Sequence, residues 1–94
     1  MSPVQALQRA RPVRLAPHDY PMSARLHLAT ARVLRPLDPD RADDHESAAW
    51  ELAHLAGSHG LSSSPLLTQE PLLQRAARKG AALASMTGGR LYEV

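Results

Sequence analysis

The apolar side chains of this sequence are almost all of two kinds. It holds 16 Ala and 15 Leu, but only 4 Val and neither Ile nor Phe, and its aromatics are Trp50, Tyr20 and Tyr92. Sheets fill their faces with Val, Ile and aromatic residues, whereas Ala and Leu head the helix scale. A chain so composed is mainly helical with few strands, and its core has to be mostly Leu packed on Ala. Its 94 residues suffice for one domain, which buries roughly two-thirds of the surface exposed by the unfolded chain. A Leu–Ala core of that size is thin. It predicts support from oligomerisation or from a partner.

Prolines and glycines divide the chain. Residues 2–10 can start a short helix, with Ser2 as N-cap and Pro3 at the first helical position, where its missing N–H costs nothing. Residues 11–15 alternate and read as extended, and 17–21 as loop. Ser23 is the expected N-cap of a first main helix ending near Arg35, before Pro36. Leu26, Ala29, Thr30, Val33 and Leu34, with Leu37 beyond, recur with helical period and form its expected apolar face. Arg25 and Arg32 share its solvent side.

A second helix is predicted from Pro39, capped by Asp38, to about Ala56, with Gly57 or Gly60 as its stop. Ala49, Leu52, Ala53 and Ala56 form its apolar face, with Trp50 and Leu55 on the flanks. A Gly- and Ser-rich loop follows. A third helix is predicted from a cap at Thr68 to about Met86, burying Leu72, Leu73, Ala76, Ala77, Gly80, Leu83 and Ala84. Gly80 costs about 1 kcal/mol in a helix interior, and a close helix crossing would explain it. Residues 90–94 alternate and can pair with 11–15. The expected fold is therefore mainly α, a small bundle of three principal helices with room for a short strand pair between the N- and C-terminal segments. The domain expectation is a single helical domain over 1–94: an extended, loop-rich segment 1–21, a helical core 22–87 and a strand-like segment 88–94.

Charge is distributed in blocks: residues 1–37 carry +5, 38–51 carry −5 and 52–94 carry +2, which sum to the net +2 of the chain. Acids at the start of the second helix complement its dipole. Arginine outnumbers lysine ten to one. Beside so much Ala, Leu and Pro, this reads as the codon bias of a GC-rich genome before it reads as anion chemistry. The sequence contains no Cys, which excludes disulfides, thiol catalysis and thiolate metal sites. No apolar run approaches the roughly 20 residues of a membrane span, and the start lacks the pattern of a signal peptide. A cytoplasmic location, away from membranes, is the expectation.

Local motifs for chemistry are sparse. Glu51 and His54 stand three apart on the second helix, the spacing of half a di-iron site. The first helix offers no carboxylate to complete one, only His27. His18, His27, His45, His54 and His59 lack the His-x-x-x-His spacing of a helical zinc pair; His45 with Asp44 and Glu46 is a surface ligand set at most. No nucleophile elbow or phosphate loop occurs. These observations predict neither enzyme activity nor a cofactor.

The leading expectation is a non-enzymatic protein–protein interaction domain, homo-oligomeric, acting through helix faces and charge complementarity. Its interface residues would be Arg25, Arg32, Trp50, Ala76, Gly80 and Ala84, the acidic helix of one copy meeting Arg25 and Arg32 of another. The small-residue line 76/80/84 serves an internal crossing equally well. An alternative is a small DNA-binding regulator of the helix-turn-helix or winged-helix kind. It would use Gln74, Arg75, Arg78 and Lys79 of the third helix, whose three cations lie within about one turn and can meet phosphates. A further alternative is a metal-binding helical protein with Glu51 and His54.

Overall fold

The structure, a computed structural model, describes residues 15–87. The helix expected over 2–10 lies outside them. So does the terminal strand pair, save for Leu15, which belongs to no regular element. The described residues form four helices and no strand: α1 (Tyr20–Leu34), α2 (Pro39–Ser58), the single turn α3 (Pro65–Thr68) and α4 (Pro71–Thr87). A 3-10 turn, Pro17–Asp19, precedes α1. The second helix lies between the other two long ones and packs on both, while α3 bridges α1 and α4. The three-helix bundle expected from composition is thus present. None of the described helices is long and apolar enough to cross a membrane.

Each helix carries proline in its first turn, namely Pro21, Pro39, Pro65 and Pro71, where φ is already set and no N–H partner is needed. Asp38 caps α2 as expected, its Oδ1 accepting from the Arg41 N–H at 3.3 Å. The same helix ends two residues later than predicted, in a Schellman motif. There the Leu61 N–H donates to the Ala56 carbonyl (2.9 Å) and the Gly60 N–H to that of Gly57 (3.0 Å). Gly60 supplies the φ of +80° that this ending requires.

Two helix starts differ from expectation. The 3-10 turn, closed by the Asp19 N–H on the Ala16 carbonyl at 2.8 Å, runs straight into α1. Ser23 is therefore inside the helix rather than its cap. Thr68 is likewise not the cap of the last long helix, because 65–68 close a turn of their own. The Glu70 carbonyl accepts from the Gln74 N–H at 2.8 Å, so Glu70 takes the cap position.

The inward face of α1 is also not the expected one. Pro21, Ala24, Leu28 and Ala31 are buried, whereas Leu26, Ala29, Thr30, Val33 and Leu37 are exposed. This helix has two apolar stripes, and the one with the smaller side chains faces the bundle. The core it joins consists of Ala24, Leu28, Ala49, Ala53, Ala56, Leu67, Leu73, Ala76 and Ala77. Leu67 and Leu73 are its largest fully buried side chains. Small residues bring the backbones together. A Cβ on Gly80 would stand 1.9 Å from the His54 carbonyl oxygen, and one on Gly57 1.8 Å from that of Ala77. Two glycines, one per helix, let α2 and α4 cross in direct backbone contact, as the position of Gly80 in the sequence predicts.

Candidate functional site

The outward stripe of α1 is an exposed apolar feature of the described residues. Met22, Leu26 and Val33 are 50%, 60% and 68% exposed, and Leu37, in the turn after the helix, 77%. Ala29 and Thr30 lie between them, and the Thr30 hydroxyl donates to the Leu26 carbonyl at 2.8 Å. The stripe stands nearly opposite the buried one, as the 100° step per residue requires. On its flank sit Arg25 and Arg32, whose charge is engaged within the chain. Arg32 makes a bidentate pair with Glu70, Nη1 and Nη2 donating at 3.0 and 2.7 Å. Arg25 donates to the Leu66 carbonyl at 3.2 Å and lies 3.9 Å from Glu70. These contacts join α1 to α3 and to the start of α4. The hydrogen bonds from Arg32 hold the Glu70 carboxyl below its ordinary pKa, against the opposing effect of burial, with the charges of Arg32 and Arg25 adding to the shift.

Arg35, just beyond α1, pairs with Asp43 and Glu46 of α2. Part of the opposite charge of the first two sequence blocks is therefore neutralised within the molecule. Between these ion pairs runs an open groove of about 410 Å³, lined by Leu28, Ala31, Arg32, Arg35, Glu46 and Leu72. Beside it is a second of about 270 Å³ under Trp50. Trp50 is half-buried against the core and stacks on His54 with ring centroids 5.2 Å apart.

The remaining residues singled out from sequence fall in three places. Ala76 and Gly80 are buried in the crossing with α2, and Ala84 is half-buried further along the same helix. Arg75, Arg78 and Lys79 are exposed, with Gln74 half-buried beside them, and these three cations make no ion pair among the described residues. Glu51 is exposed. No group of three or more metal-binding side chains forms around Glu51 and His54, or elsewhere among the described residues.

One contact joins two histidines that no sequence spacing relates. His27 of α1 and His45 of α2 meet with their Nδ1 atoms 2.9 Å apart and ring centroids 5.2 Å apart. Burial, and then the charge of His45, lowers the pKa of His27. The two residues stand 18 positions apart on different helices, so no local spacing announces the pair. Comparison with protein-family models, with characterised proteins and with solved structures gives no match for this chain.

Proposed function

We propose that this chain is a small non-enzymatic interaction domain that associates with itself through its helix faces. The observation that carries the reading is the second apolar stripe of α1. A helix apolar on two opposite sides is ordinarily covered on both, and among the described residues only one side is covered. The stripe is also self-complementary. Antiparallel pairing about the midpoint of Ala29 and Thr30 sets Leu26 against Val33 of a second copy, and Met22 against its Leu37. Small residues at the centre allow close approach, and the Thr30 hydroxyl already has its partner, so its burial orphans no donor. This is the symmetry of an isologous dimer.

Charge complementarity gives a second contribution. Asp40, Asp44 and Glu51 of α2 are exposed, as are Arg75, Arg78 and Lys79 of α4. None of the six makes an ion pair among the described residues, so opposite-sign faces are free to meet between copies. Arg25 and Arg32 would have to exchange Glu70 for such a partner. The lack of Cys suits a reducing compartment such as the cytoplasm.

A second reading, DNA binding by α4, is favoured by the exposure of the same three cations with Gln74 beside them. One experiment separates the two: multi-angle light scattering with the 260/280 nm absorbance ratio followed across the peak, at low and high salt. The interaction reading expects a defined oligomer free of nucleic acid. A strict monomer at every salt and protein concentration would refute it. Nucleic acid in the peak, stripped by salt, would put DNA binding first. Replacing Arg75, Arg78 and Lys79 by Ala should then lower the salt dependence of duplex binding by about one unit of log–log slope per lost phosphate contact.

A further inference from the structure

We propose that His27 and His45 form a two-imidazole site for a divalent transition-metal ion such as Zn²⁺, clamping α1 to α2. Two Nδ1 atoms 2.9 Å apart face each other across a helix–helix contact. Two neutral imidazoles can sit this way only with one hydrogen between them, carried by one ring and accepted by the lone pair of the other. A metal ion can be held by the same two atoms once each ring tilts so that its lone pair points at the ion rather than at the other nitrogen. With each nitrogen about 2.0–2.1 Å from a tetrahedral ion, the two Nδ1 atoms stand about 3.3 Å apart. The nitrogen–nitrogen distance therefore opens by only a few tenths of an ångström, while each ring swings by about 35° to aim its lone pair at a tetrahedral ion.

Both rings are half-buried, so the site is shaped by packing yet reachable from solvent. Their backbones belong to long helices in direct contact, which fixes the donor separation in advance. No third His, Cys, Asp or Glu joins the pair among the described residues, leaving the other coordination positions to water. Borderline ions that accept imidazole nitrogen suit such a site, whereas Mg²⁺ and Ca²⁺, which take oxygen ligands, do not. Atoms balance without proton release. The ring that carried its hydrogen on Nδ1 moves it to Nε2, both Nδ1 lone pairs bind the ion, and both Nε2 atoms end protonated. The site sits on the α1–α2 contact and does not depend on self-association.

The test is a Zn²⁺ titration of the metal-free, untagged full chain, followed by long-range ¹H–¹⁵N spectra of the histidine rings and by thermal unfolding. The proposal expects the Nδ1 resonances of His27 and His45 to move together and saturate at one ion per chain, with both Nε2 atoms protonated. The unfolding midpoint should climb with each tenfold increase in Zn²⁺ above the dissociation constant. His27→Asn and His45→Asn should abolish the climb, while His54→Asn and His59→Asn retain it. Unmoved His27 and His45 rings at excess Zn²⁺, or changes confined to His18, His54 or His59, would overturn the proposal. The ring spectra of the unsubstituted chain decide the matter even if a variant fails to fold.

Discussion

Gly57 and Gly80 set how closely this bundle can pack. Alanine at position 80 would gain about 1 kcal/mol of helix propensity. Its Cβ, however, would fall 1.9 Å from a backbone oxygen, which no rotamer change can relieve. Separating the helices costs about 1–3 kcal/mol or more. Gly80→Ala and Gly57→Ala are therefore expected to lower the urea midpoint strongly. Gly60→Ala is a contrasting case. Nothing lies within 4 Å of its added Cβ, and φ is +80°, so it should lose only about 1–2 kcal/mol, from backbone strain. A Gly80→Ala variant as stable as the parent would show that the crossing is looser than described.

Glu70 gives the residue scale its pH dependence. Its carboxyl lies below the ordinary 4.5 because it is ionised against Arg32. The folded state thus releases this proton more readily than the unfolded chain. Its contribution is fully present above pH 4.5 and is lost as pH falls through the lowered value. The pair is near the surface, so a double-mutant cycle of Arg32→Ala and Glu70→Ala should give a coupling of about 0.5–1 kcal/mol. In Arg32→Ala the loss of stability below pH 4.5 should flatten, as chemical denaturation at stepped pH will show.

At the scale of elements, what was legible in the sequence was local. Asp38 before Pro39 specifies a helix start from four consecutive residues, and Asp38→Ala should destabilise the protein by about 1 kcal/mol. The inward line of α4 was legible in part: Leu73, Ala76, Ala77 and Gly80 are buried as their period-3.6 stripe predicts, opposite Arg75, Arg78 and Lys79, whereas Leu72 and Ala84 are only half-buried and Leu83 is exposed. The orientation of α1 was not. Ala24–Leu28–Ala31 and Leu26–Val33–Leu37 are both apolar and both helical in period, and the second has the larger side chains. The choice falls to the partner: α2 presents Ala42, Ala49, Ala53 and Ala56, and alanine on both sides permits contact that leucine would prevent. Periodicity carries no information about which small face will find another. The start of α4 was not legible for a related reason: Pro65 and Pro71 each open a turn, and the first draws Thr68 into a helix of its own. The His27–His45 contact depends on how α1 is rotated about its axis, so it became visible only with the packing.

At the scale of the whole molecule, a core of alanines with few large side chains explains both the close packing and the outward display of leucine and valine. The outward stripe of α1, proposed as a self-association surface, should contribute little to the monomer. Leu26→Glu with Val33→Glu should change monomer stability by no more than about 0.5 kcal/mol each, as exposed substitutions do. Sedimentation equilibrium over a wide concentration range, on the unsubstituted chain and on this double variant, tests the claim most directly. The mass is expected to rise with concentration from 10.2 kDa towards twice that value for the unsubstituted chain, and to stay at the monomer value for the folded variant. Equal masses for the two proteins at every concentration, whether monomeric or associated, would contradict it.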